Sequence, residues 1–99
     1  MKRIIVIEDN VMAASLYQTA LTREGYQVEV ASDGEAGLAA IARSSPDLVL
    51  LDLMLPKVDG FEVLRRIRTT PDLVGLPVII TSNAYTAPRL EELRQKKGA

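Results

Sequence analysis

The chain is predicted to fold as an α/β protein with a doubly wound parallel sheet, and three observations lead there. Strand-type apolar runs alternate with helical periodicity in the order βαβαβαβα, the joints between them are short, and several runs end in acidic or hydroxyl residues. At 99 residues, with 47% apolar and 25% charged side chains, the chain has the size and composition of one globular domain with a single core.

The first run, Arg3–Ile7, is continuous and rich in β-branched residues, which suits a strand buried on both faces, and it halts at Glu8, Asp9 and Asn10. Ala13, Leu16, Tyr17, Ala20 and Leu21 then follow the helical i, i+3, i+4 spacing, with Asp9 or Asn10 as N-cap and Gly25 past the end. Residues 26–31 alternate as a second, less buried strand, and Ser32-Asp33-Gly34 turns into an Ala-rich helix over residues 35–43 that Pro46 stops.

Residues 47–52 (DLVLLD) carry four consecutive apolar residues and end in a carboxylate, the pattern of a central parallel strand. A loop over residues 53–59 leads to a helix opened by Gly60, with Phe61, Leu64 and Ile67 turned inward and Glu62, Arg65, Arg66 and Arg68 toward water. Pro71 and Gly75 break the next connection, residues 78–82 form a fourth strand, and residues 87–97 read as a short helix ending at Gly98.

Composition removes whole classes of chemistry. Without Cys or His, the chain has no disulfide, no thiolate, no zinc site of the usual ligands and no Ser-His or Cys-His pair. A net charge of −1 creates no global field for nucleic acid or an anionic membrane, so no direct nucleic-acid partner is expected. No apolar run nears the roughly 20 residues of a membrane span, and the start turns acidic too soon for a signal peptide; a cytoplasmic protein without membrane contact is expected. The glycine patterns of nucleoside triphosphate and dinucleotide cradles are absent as well.

Ligand sites of open parallel sheets form beyond the carboxyl ends of the strands, where strand order reverses. In a 2-1-3-4 order, strands one and three are neighbours about 4.8 Å apart, which puts Glu8, Asp9 and Asp52 into one crevice with Ser82 at the end of strand four. Taken singly, Asp9 and Asn10 serve as helix caps, Asp52 as a solvated strand end and Ser82 as an ordinary hydroxyl. Together they call for a cation, because three like charges so close push at least one pKa upward unless a cation is present. Mg2+, which takes oxygen ligands and keeps several waters, resolves that conflict.

Three spaced motifs carry a family resemblance: IIVIEDN (residues 4–10), PDLVLLDLMLPKVDGFEVL (46–64) and LPVIITSNA (76–84). The chain closely resembles, over nearly its whole length, the receiver domain of bacterial two-component response regulators. The resemblance implies a flavodoxin-like sheet of order 2-1-3-4 and a phosphoacceptor, Asp52, taking a phosphoryl group from a sensor histidine kinase or histidine phosphotransfer protein. It implies Mg2+ bound by Asp9, Asp52, the backbone carbonyl of Met54 and, through water or at longer reach, Glu8. Ser82 takes the place of the switch hydroxyl, so the loop after it and helix four become the readout. Such a module is not an enzyme toward other substrates; it promotes its own phosphotransfer and a slow autodephosphorylation. Met54, apolar and two residues beyond Asp52, does little to orient an attacking water.

The family continues into a fifth strand, a lysine that contacts the phosphoryl group, and a fifth helix. Residues 1–99 read as a receiver domain incomplete at that joint, and Lys57 matches a different, commonly basic loop position rather than that lysine. The expected consequence is an apolar edge at Val78, Ile79 and Ile80, completed by further polypeptide or by homodimerisation through the fourth strand. The competing reading is a module that keeps the fold and binds a partner without phosphorylation.

Overall fold

A computed structural model describes residues 2–81. They form β1 (Arg3–Ile7), α1 (Val11–Arg23), β2 (Gln27–Ala31), α2 (Gly34–Ser44), β3 (Leu48–Leu51), α3 (Gly60–Thr69), a single 3-10 turn (Pro71–Leu73) and β4 (Val78–Ile80). The expected helix over residues 87–97 lies outside the described residues, as does Ser82. The sheet order is β2-β1-β3-β4 with every pair parallel, as the alternation of elements predicts.

Side chains divide between the two faces of the sheet with a period of two. Ile5, Ile7, Val49 and Leu51 point to one face and pack with Ala40 and Ile41 of α2 and Val63, Leu64 and Ile67 of α3. Ile4, Val6 and Leu50 point to the other, where Tyr17 and Leu21 of α1 cover them. Both β1 and β3 are thus buried on two faces, which explains why their sequences run apolar without alternation.

Capping sets where the helices begin. Asn10, Asp33 and Asp59 each accept a hydrogen bond from the backbone N–H three residues on, at 2.9, 2.7 and 2.9 Å. On α3, Glu62 accepts from Arg65 and Arg66, and these hydrogen bonds hold its carboxyl down to about 2.

Three expectations need correction. In α1 the buried residue is Ala14, with Ala13, Tyr17 and Leu21 half-buried, while Leu16 and Ala20 face solvent. A helix lying on a sheet touches it along a narrow line, so the wider stripe read from spacing overestimates the contact. In α3, Val63 takes a fully buried place and Phe61 is only half-buried, because the helix lies beside α2 on the same sheet face and presents the adjacent Val63 and Leu64 to the shared cluster. At β4, Ile79 alone is exposed; Val78 and Ile80 pack against the α2–α3 core.

Leu51, fully buried at the centre of that core, tests the packing. Leu51→Ala is expected to cost about 2–5 kcal/mol in urea unfolding, whereas Ile79→Ala stays within about 0.5 kcal/mol of the parent.

Candidate functional site

Register builds the site. Ile7 pairs with both Ala31 and Leu51, and Leu51 pairs with Ile80, so four strands finish in one row. The ladder continues one residue further on three of them: Glu8 donates its N–H to Ala31 O at 2.9 Å, Asp52 to Ile7 O at 3.0 Å and Thr81 to Leu51 O at 2.9 Å. Glu8, Asp52 and Thr81 therefore stand side by side at the carboxyl edge. Each follows a residue that points to the α2–α3 face, so alternation turns all three to the α1 side.

Local structure aims the individual carboxylates. Glu8 Oε2 accepts the N–H of Asn10 at 3.1 Å, which bends the chain from β1 into α1 and leaves Asp9 exposed at the crest of the turn. Asp52 Oδ1 accepts the N–H of Met54 at 3.0 Å, an Asx-type turn that fixes the carboxylate's orientation. Leu53 and Leu55, both buried, anchor the loop that follows, and Gly60 N–H closes it onto Leu53 O at 3.1 Å.

One carboxylate oxygen from each of Glu8, Asp9 and Asp52 lies within 4.8 Å of the other two. Glu8 and Asp52 are only 7% and 8% exposed, so two of the three like charges sit at the floor of the crevice. Burial pushes the Glu8 carboxyl above its ordinary 4.5; the Asn10 N–H pulls the other way, and Asp52 and Asp9 add to the rise. Such a cluster fits a hard divalent cation. Oxygen ligands about 2.1 Å from Mg2+ span roughly 4.2 Å across an octahedron, close to the spacing already present, and every donor is an oxygen.

The crevice, about 520 Å³, continues from these carboxylates along α1 past Met12, Leu16 and Tyr17, with Met54 and Thr81 on its other side. A groove of about 670 Å³ at the opposite end of the sheet has no comparable focus: Arg3 donates to Ser44 O and Gln27 Oε1, and Arg43 pairs with Glu29. Lys57 pairs with Asp33, its Nζ 3.7 Å from Asp33 Oδ2.

Of the residues expected at the site, the structure brings together Glu8, Asp9 and Asp52; Met54 meets them through its N–H on Asp52 Oδ1, not through the carbonyl expected as a metal ligand. Ser82 follows directly on Thr81 and lies outside the described residues. Spacing alone does not single out Leu16 as a crevice wall, because an apolar residue at helical spacing is read as core; Met12 lies off that stripe and carries no signal in the sequence.

The model of the response regulator receiver domain matches residues 4–99. The chain belongs to this family. Among curated relatives, the transcriptional regulatory protein AfsQ1 of Streptomyces coelicolor is 44% identical over 80 residues, 81% of this chain and 34% of the relative. The chain spans about a third or less of the length of the curated relatives it matches. Among solved structures, the N-terminal domain of a response regulator receiver protein from Methanoculleus marisnigri superposes with a TM-score of 0.82 at 38% identity, covering 93% of this chain and 76% of that one. The Mn2+-bound form of response regulator Rcp1 superposes with a TM-score of 0.86 at 30% identity, covering 96% and 75%. The fold is thus a receiver fold, and its acidic pocket is of the kind in which receivers hold a divalent metal. No helix among the described residues is long and apolar enough to cross a membrane.

The raised Glu8 carboxyl has a signed consequence for this receiver. Below pH 4.5 Glu8 is protonated in both folded and unfolded chains and carries no penalty; as pH rises through its folded pKa, ionisation at the buried site lowers stability. Glu8→Gln keeps an acceptor for Asn10 and removes the charge. The metal-free variant is expected to melt with the parent in acid and progressively above it toward neutral pH. Added Mg2+ should raise the parent's melting temperature more than the variant's.

Proposed function

We propose that this chain is the phosphoacceptor receiver of a two-component phosphorelay, with Asp52 as nucleophile. The observation that carries this reading is the position of Asp52: near-buried, oriented by the Met54 N–H, and beside two further carboxylates on oxygen-only chemistry. In the transfer, an Asp52 oxygen forms a bond to phosphorus while the P–N bond of a donor phosphohistidine breaks. The bonding pair returns to the imidazole nitrogen and an aspartyl phosphate is left.

A carboxylate is a weak nucleophile, and transfer depends on in-line positioning and on neutralising the equatorial oxygens. Mg2+, held by Asp9, Asp52 and the Met54 carbonyl with Glu8 behind them, would supply that neutralisation. The Met54 N–H restrains the rotation of the nucleophile, and the closed loop behind it keeps the carboxylate facing the crevice. Ser82, next to Thr81, would donate its hydroxyl to the new phosphoryl group and carry the change into the following loop.

Support for a protein donor comes from the rim. Met12 and Leu16 of α1 and Met54 of the loop are all more than half exposed around the acidic floor. That apolar collar suits docking of a sensor histidine kinase or a histidine phosphotransfer protein. The module acts on its own Asp52 rather than on a turnover substrate, and we place it in the cytoplasm.

Incubation with acetyl phosphate and Mg2+ followed by intact-mass analysis is expected to show one phosphate adduct on the parent and none on Asp52→Ala. An unmodified parent would favour the phosphorylation-independent interaction module instead. Once formed, the aspartyl phosphate should decay slowly, since Met54 offers no polar group to a water. Met54→Asn is expected to hydrolyse several-fold faster, and a parent that decays faster than this variant would contradict the reading.

A further inference from the structure

Residues 53–59 are held at both ends by glycines whose missing side chains are what allow the contact. At the far end, a Cβ on Gly60 would lie 2.3 Å from Leu53 Cα and 2.4 Å from Asp52 O. The nearer constraint comes from another element altogether: a Cβ on Gly34, the first residue of α2, would lie 1.6 Å from Val58 O and 2.6 Å from Val58 C. No side chain fits between the start of α2 and the backbone of residue 58.

A second link joins the same two segments. Lys57 sits in the left-handed region at φ 61°, a conformation that a non-glycine residue adopts at a cost. Its Nζ lies 3.7 Å from Oδ2 of Asp33, whose other oxygen caps α2 at Ala36 N–H. Gly34 has no need of a special backbone angle, so its requirement is one of space.

We infer that Asp33, Gly34 and Lys57 are positioning residues for the Asp52 pocket: the start of α2 latches the loop whose Met54 N–H orients the acceptor carboxylate. The inference rests on the reading of the pocket as a metal-binding phosphoacceptor site, and none of these three residues is part of the acidic cluster. Mechanically, α2 bears on Val58, the loop runs on to Gly60, and Gly60 bears on Leu53 and Asp52. Displacing Val58 therefore moves Met54 and, through its hydrogen bond, the Asp52 carboxylate.

Gly37 supplies the control. It lies one turn along the same helix, and its Cβ would strike Ile7 Cδ1 at 2.5 Å, a core side chain rather than the loop. Helix propensity favours alanine over glycine at either position, so propensity alone predicts no loss. Two readouts apply: Mn2+ affinity, from the free-ion electron paramagnetic resonance signal, and the Met54 amide resonance with its hydrogen exchange in metal-free protein.

Gly34→Ala is expected to weaken Mn2+ binding about tenfold or more, the scale of outer-sphere changes at metal sites, and to shift the Met54 amide and speed its exchange. Gly37→Ala should lower the urea midpoint while leaving both readouts near the parent's. Should Gly34→Ala not fold, Asp33→Asn keeps the cap and Lys57→Met keeps the loop. Each is expected to shift the Met54 amide and weaken Mn2+ binding about twofold to fivefold, with Lys57→Arg restoring both. An unmoved Met54 amide in the folded variants, or equal effects from Gly34→Ala and Gly37→Ala, overturns the latch. A parent without Mn2+ affinity overturns the metal reading instead, and the Met54 amide still decides the latch.

Discussion

The common finish line of β1, β3 and β4 is the constraint on which the rest of this protein depends. Parallel pairing in this register carries the backbone ladder one residue past each strand, through the N–H groups of Glu8, Asp52 and Thr81. Two carboxylates then stand on neighbouring strands at the spacing of a sheet, with Asp9 just beyond. A slip of one residue would turn the whole set to the opposite face. The apolar content of Ile4–Ile7 and Val49–Leu51 protects against such a slip less by alternation than by the two cores that grip both faces.

The two faces contribute unequally. α2 and α3 cover one face with a continuous cluster of buried aliphatic residues, whereas α1 meets the other along Ala14, Tyr17 and Leu21. The acidic residues point to the α1 side, which is also the face with the exposed apolar residues Met12 and Leu16. Rigidity is supplied from behind and access from in front. The loop over residues 53–59 mediates between them: Leu53 and Leu55 root it in the core while Met54 stands at the rim.

Electrostatic tension at the site follows from that geometry. Glu8 is buried beside Asp52, and desolvation with like charge opposes its ionisation. A divalent cation bound there would relieve that opposition, so affinity for metal and instability without it would have the same origin. Elsewhere charges are arranged conventionally, as where Glu62 near the start of α3 meets Arg65 and Arg66 along the exposed face.

The amino-acid order by itself determined the α/β class, the succession of the described strands and helices to within a residue or two, the cap of α1 to one of two residues, and the acidic character of the strand ends. Each of these is written in local periodicity or in residues a few positions apart. Tertiary structure alone decided that Glu8 rather than Asp9 is buried, that Leu16 lines a crevice instead of the core, that Val63 outranks Phe61, and that Val58 needs a glycine at position 34. Those outcomes depend on how elements far apart in the chain settle against one another, and packing at that range leaves no periodic trace in the segments it joins.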